Sequence, residues 1–236
     1  MQGANHTTEQ KWLSGVANML TRRVGRADLI CLQEAGAVPQ SALERIRQTF
    51  TDPDGDDTEV IVYDWGAVQN PLRPGAMRTI IHHHWDTGGN RVNTAIVSQR
   101  LLPHPINIAL VWGAYGPTWR PALGVQFQGE WVFSFHAISP GGVDASPVLN
   151  AIAAFAGGIQ WRVGADFNRD PLTLTGALLP ANSIVVPPNN PTYPTIGFQG
   201  ATARYDYFVT GGNVQRRGVT DHGVLMSDHW SVGCGF

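Results

Sequence analysis

The 236-residue sequence is 43% hydrophobic and 14% charged, with a formal charge of −2 and a pI of about 6.4. That is ordinary globular material, enough for one domain over residues 1–236, and it excludes a disordered, fibrous or strongly basic chain. Two cysteines, Cys31 and Cys234, exclude a disulfide framework and a cysteine-rich zinc site, and no stretch reaches the roughly 18 apolar residues of a membrane span.

Residues 8–22 carry Trp12, Val16, Met19 and Leu20 at helical spacing, which predicts an amphipathic helix. Residues 27–32 form a short apolar run closed by Gln33-Glu34-Ala35-Gly36, a buried strand feeding a loop, with Cys31 as a buried thiol. Pro39 opens a second predicted helix through Phe50, with Leu43, Ile46 and Phe50 on one face. Between residues 59 and 135 six short β-rich runs (60–65, 78–85, 92–98, 106–112, 122–127 and 131–135) read as a β-meander. A helix over 143–156, a strand over 159–165, a Pro/Gly-rich stretch over 180–194 and short strands at 205–210, 219–225 and 230–234 complete the chain. No repeat or low-complexity linker divides it. Few helices and two sets of mostly antiparallel strands predict an α+β fold, with two sheets packed face to face and helices outside.

Groups suited to phosphodiester hydrolysis recur at predicted strand ends: Glu34, His136, Asp166 with Asn168, Asp206, and Asp228 with His229. Such chemistry needs an activated water, cations facing the developing charge and a proton for the leaving oxygen. Each residue alone has a plainer reading, as a turn former, a cap or a hydrogen-bonded core histidine; together, beside apolar strands, they favour catalysis. Oxygen-rich donors of this kind suit magnesium, with manganese or calcium as alternatives, over zinc. His82-His83-His84 is no metal site, because successive strand side chains point to opposite faces, and it reads as a solvated or partly buried strand. All basic residues but Lys11 are arginines, whose planar fork suits phosphate.

Leu32-Gln33-Glu34, Gly164-Ala165-Asp166-Phe167-Asn168, Tyr205-Asp206-Tyr207 and Ser227-Asp228-His229, in that order, resemble the endonuclease/exonuclease/phosphatase superfamily. Gln2-Gly3-Ala4, Asn90-Arg91-Val92-Asn93, Ala95-Ile96-Val97-Ser98, Gly141-Gly142 and the run from Asp166 to Pro171 are similar, more narrowly, to the active B subunits of cytolethal distending toxins. The resemblance implies a four-layer αββα sandwich that hydrolyses DNA with magnesium. Glu34 and Asp228 would then serve the metal, and His229 would be general base or phosphate contact, oriented by Asp206. Asp166 and Asn168 would position nucleophile and phosphate, and His136 would be a phosphate ligand or general acid. Arg91, Arg120 and Arg169, together with Asn168, would bind substrate phosphates.

It also implies lectin-like or ADP-ribosyltransferase-like delivery subunits, bacterial secretion and action in the host nucleus, although residues 1–6 carry no signal-peptide pattern. In the resembled proteins a strand ending in Trp-Asn precedes the Gln2-Gly3 position. The expectation is therefore that this first strand, and an asparagine of the site, fall outside the sequence. The segment 212–227 is shorter than expected for a toxin of this kind. Two alternatives stand beside a deoxyribonuclease: a phosphoinositide phosphatase using the same site, and a catalytically impaired toxin-like binding protein.

Overall fold

The structure, a computed structural model, describes residues 8–21, 26–66, 77–86, 88, 91–114, 120–193, 202–212, 219–221, 229 and 231–233. The chain divides into two compact units, residues 1–106 and 107–236.

The first unit opens with a continuous helical run: α1 (Thr8–Lys11), a π-helical turn (Trp12–Val16) and α2 (Ala17–Thr21). Trp12, Val16, Met19 and Leu20 are buried as their spacing predicts. Five strands follow, β1 (Leu29–Leu32), β2 (Ala42–Thr51), β3 (Asp57–Trp65), β4 (Arg78–His83) and β5 (Thr94–Ser98). They form one antiparallel sheet in the order β1-β5-β4-β3-β2. β4 and β5 are buried along their whole length, as central strands covered on both faces must be.

The helix predicted from Pro39 to Phe50 is instead β2. Leu43, meant for its buried face, is 68% exposed. The periodicity is misleading because the partner strand decides the segment. β3 offers nine paired positions to β2, and a bulge between Glu44 and Ile46 resets the alternation. Arg45 pairs with Asp64, and Arg47 with Glu59, across the two strands. Asp52-Pro53-Asp54-Gly55 closes the hairpin, with Asp52 Oδ1 accepting the N–H groups of Asp54 and Asp56 at 2.9 Å. Cys31 is half-buried rather than buried. The three histidines are less solvated than expected: His82 and His83 are buried and His84 half-buried.

The second unit is built on six strands, β6 (Ile108–Val111), β7 (Ala122–Phe127), β8 (Glu130–His136), β9 (Trp161–Asp166), β10 (Ser183–Val186) and β11 (Asp206–Gly211), in the order β10-β11-β9-β8-β7-β6. The expected meander thus runs through two sheets, with β3–β5 in one and β6–β8 in the other. A two-residue turn, Gln128-Gly129, joins β7 to β8 with φ of 52° and 86°, the left-handed pair that matches strand twist. The 12-residue helix α3 (Ala145–Ala156) connects β8 to β9 and so makes them parallel. Its Ala145, Val148, Leu149, Ile152 and Ala156 share a core with Phe133, Phe135, Val163, Phe167 and Tyr207. A two-stranded ribbon of β12 (Val219–Asp221) and β13 (Ser231–Gly233) ends the described chain.

Candidate active site

β8 and β9 are parallel, so both end at the same edge of their sheet; β11 runs against β9, so its first residue lies at that edge too. In the register His136 is level with Asp166, and Asp166 with Asp206. Three adjacent strands thereby place one functional side chain each in a single row. His229, two residues before β13, completes it from the far end of the chain.

His229 Nδ1 lies 2.8 Å from Asp206 Oδ2. A carboxylate only accepts, so Nδ1 carries a proton, and Nε2 faces Asp166, whose Oδ2 is 3.9 Å away. Asp166 Oδ2 is also 3.6 Å from His136 Nε2. Burial, with help from the charges of Arg120 and His229, pushes the His136 imidazole down to about 3. It is therefore neutral at physiological pH, and its approach to Asp166 is not an ion pair.

Asn168 shapes the turn after β9. It takes a left-handed φ of 50°, which asparagine tolerates. Its N–H donates to Asp166 Oδ1 at 2.8 Å and its Nδ2 to the Ala137 carbonyl at 2.9 Å. The loop after β8 meets this turn closely. Ala137 N–H donates to the Asp166 carbonyl and Gly141 N–H to that of Asn168. A Cβ at Gly142 would stand 2.0 Å from the Phe167 carbonyl oxygen. Arg169 folds onto its own loop, Nε and Nη2 donating to Thr173 Oγ1 and O at 3.2 and 3.0 Å. Arg120 is half-buried just ahead of β7, its charge felt by His136.

Two residues that the sequence pattern does not single out support the row. Thr192, 0% exposed, accepts through Oγ1 the N–H groups of Tyr205 and Asp206 at 3.1 and 3.2 Å, fixing where β11 begins. The Tyr193 ring lies 4.4 Å, centroid to centroid, from the imidazole of His229, with Tyr205 behind it at 5.5 Å. A tyrosine within a Pro-rich stretch is the only hint of this in the sequence.

In the first unit, Glu34 follows β1 with a φ of 49°, a strained value for a glutamate. The turn is held from two sides: Ala35 N–H donates to the Asn93 carbonyl at 2.8 Å, and His82 Nε2 donates to the Gly36 carbonyl at 2.9 Å. His82 is thus a structural support of the Glu34 turn. Arg91 is exposed, with its N–H on Asp86 Oδ2 at 3.0 Å, and Asp86 N–H in turn donates to Asn93 Oδ1 at 2.8 Å. The Glu34 turn and the Arg91–Asn93 turn are therefore joined through Asn93. Asp228, together with Gln2-Gly3-Ala4, Asn90, Ser227 and Cys234, lies outside the described residues.

Among the described residues, Asp166, Asp206 and His229 bring ligand atoms within 4.8 Å of one another. Two carboxylates and one imidazole fit a hard divalent cation such as magnesium or manganese.

The model of the Endonuclease/Exonuclease/phosphatase family matches residues 1–229, spanning both units. A homolog of the cytolethal distending toxin B subunit, from Salmonella typhi, is 30% identical over 245 residues, covering 98% of this chain and 85% of the relative. The chain belongs to the endonuclease/exonuclease/phosphatase family, in its branch of cytolethal distending toxin B subunits. The B subunit of the Escherichia coli cytolethal distending toxin is 25% identical, with 99% of this chain and 88% of the relative covered. The crystal structure of cytolethal distending toxin from Actinobacillus actinomycetemcomitans superposes with a TM-score of 0.79 at 26% identity, over 98% of this chain and 93% of that one. Membership accounts for the two mostly antiparallel sheets of five and six strands. Among the described residues no helix is long and apolar enough to cross a membrane.

Proposed function

We propose that the chain is a metal-dependent DNA endonuclease, the catalytic subunit of a genotoxin, working as one domain over residues 1–236. The observation that carries this reading is the His136-Asp166-Asp206-His229 row at one sheet edge of a family member that hydrolyses phosphodiester bonds.

Asp206 accepts from Nδ1–H, so Nε2 is the atom through which the neutral His229 ring would take a proton from water. The 3.9 Å between Nε2 and Asp166 Oδ2 exceeds a direct hydrogen bond and leaves room for an oxygen that both contact. His136, held neutral, donates from an imidazole N–H to a phosphate oxygen more readily than it delivers a proton as imidazolium. That favours phosphate ligand over general acid. Asn168 fixes the Asp166 carboxylate and lines the turn where phosphate would sit.

The cation, magnesium with manganese or calcium as substitutes, would supply charge for the pentavalent phosphate. Glu34 and Asp228 are proposed as its ligands on their motif match alone, and Asp166, Asp206 and His229 form a further candidate donor group. Arg91, Arg120 and Arg169 are proposed as phosphate contacts, giving weak sequence preference and strong salt dependence. Since the relatives are named as toxin subunits, lectin-like or ADP-ribosyltransferase-like delivery partners, bacterial secretion and action in the host nucleus are part of the proposal.

Supercoiled plasmid and phosphatidylinositol phosphates, offered separately with magnesium, test the substrate. Plasmid nicking without phosphate release supports the nuclease. Phosphate release alone would transfer the site to a phosphoinositide phosphatase.

A further inference from the structure

Thr192 and Tyr193 are consecutive in the chain, and each reaches one member of the Asp206–His229 pair. Thr192 Oγ1 accepts the N–H groups of Tyr205 and Asp206. The Tyr193 ring lies against the His229 imidazole, with centroids 4.4 Å apart and planes inclined at 38°. The same ring stacks on Tyr205, at 5.5 Å and 26°. Two arms therefore leave residues 192 and 193 and meet at His229, one through the Asp206 carboxylate and the other through the tyrosine ring.

The backbone that carries the Tyr193 ring is fixed. Tyr193 and Ala203 form an isolated antiparallel bridge. Tyr193 N–H donates to the Ala203 carbonyl at 3.0 Å, and its own carbonyl accepts the N–H groups of Thr202 and Ala203 at 2.9 Å. The ring thus projects from a held point toward the imidazole. The hydrogen bond from Nδ1 to Asp206 pins one edge atom of His229 but still permits the ring to tilt about that contact and swing Nε2. An aromatic side chain packed against the imidazole opposes the tilt while leaving both nitrogens free at the ring edge. The two contacts together fix the direction of Nε2, the atom that faces Asp166.

We propose that Tyr193 is a positioning residue whose ring packs against the His229 imidazole and keeps Nε2 aimed at the attacking water. This rests on the proposed nuclease reading, in which His229 is the base. An aromatic ring beside an active site has another use, stacking directly on a base or sugar of the substrate, and that use acts on KM and does not require His229. The two roles separate by substitution. Tyr193→Leu removes the ring, whereas Tyr193→Phe keeps it and loses only the hydroxyl.

The test is a double-mutant cycle of Tyr193→Leu and His229→Ala on the full chain, with Tyr193→Phe alongside and Tyr193→Met standing in should the leucine variant fail to melt cooperatively. The readouts are kcat and KM for nicking of supercoiled plasmid at saturating magnesium. Tyr193→Leu is expected to lose about tenfold in kcat with KM unchanged, since a misdirected base costs rate and not binding. Tyr193→Phe should stay within about twofold of the parent, because the stacked ring is retained. In the His229→Ala background Tyr193→Leu should cost nothing further. A parent-like kcat in Tyr193→Leu, a loss confined to KM, a Tyr193→Phe loss as large as that of leucine, or an equal loss without His229 overturns the inference while leaving the nuclease reading standing. A folded, unmodified chain that does not nick plasmid overturns the nuclease reading and this inference with it.

Discussion

His229 and Asp206 lie 23 residues apart in sequence, yet the imidazole Nδ1 is 2.8 Å from the Asp206 carboxylate, and this bond puts a proton on Nδ1 and orients the ring. D206N removes the charge and lets the ring turn or change tautomer. Nicking should fall roughly 10²- to 10⁴-fold, with DNA binding in EDTA little changed. A D206N variant that nicks within a factor of about two of the parent would show that His229 is oriented by something else.

Thr192→Val keeps the shape of the side chain but strips the acceptor from the Tyr205 and Asp206 N–H groups. Two part-buried donors lose a partner, so stability should fall by about 1–3 kcal/mol. Nicking should drop by more than the stability loss explains, because Asp206 is displaced. Urea unfolding midpoints and initial rates measured on the same samples check both parts.

Gly142 has a φ of 54°, and a Cβ there meets the Phe167 carbonyl at 2.0 Å. Gly142→Ala should cost at least about 1–2 kcal/mol from the left-handed backbone alone. The clash adds to this by separating the loop after β8 from the Asn168 turn. A melting temperature equal to that of the parent would contradict the close approach of these two loops.

His82 and His83 are buried, and burial, with the charge of His84, pushes both imidazoles down to about 3. Their folded values lie below the ordinary 6.5, so the unfolded chain binds more protons between pH 6.5 and about 3. Stability from these groups is complete above pH 6.5 and declines as pH falls through that window. Thermal melting from about pH 7.5 to about 4.5 should show the decline, and His83→Gln should flatten it. An equal slope in the variant would exclude His83 as a contributor.

Much of this is legible in the sequence because strands with one or two buried faces write their period plainly, as 60–65 and 122–127 do. The segment 39–50 misleads because Leu43, Ile46 and Phe50 fit a helix, while its conformation is decided by pairing to β3 and reset by a bulge. The site residues are recognisable by type and by neighbouring motif. Their arrangement is not, since the row depends on β8 and β9 being parallel and β11 antiparallel, a matter of topology. Thr192 acts through backbone N–H groups many residues away, and nothing local marks such bonds.

Hydrolysis of DNA by the row ending in His229 is tested most directly by single-turnover nicking of supercoiled plasmid with magnesium. The parent chain and His229→Ala are compared, each shown to be folded by thermal melting. Cleavage by the parent, its loss in EDTA, and a fall of about 10³-fold or more in the variant are the expected results. A folded His229→Ala chain that nicks at the parent rate would contradict the assignment of His229 as the base.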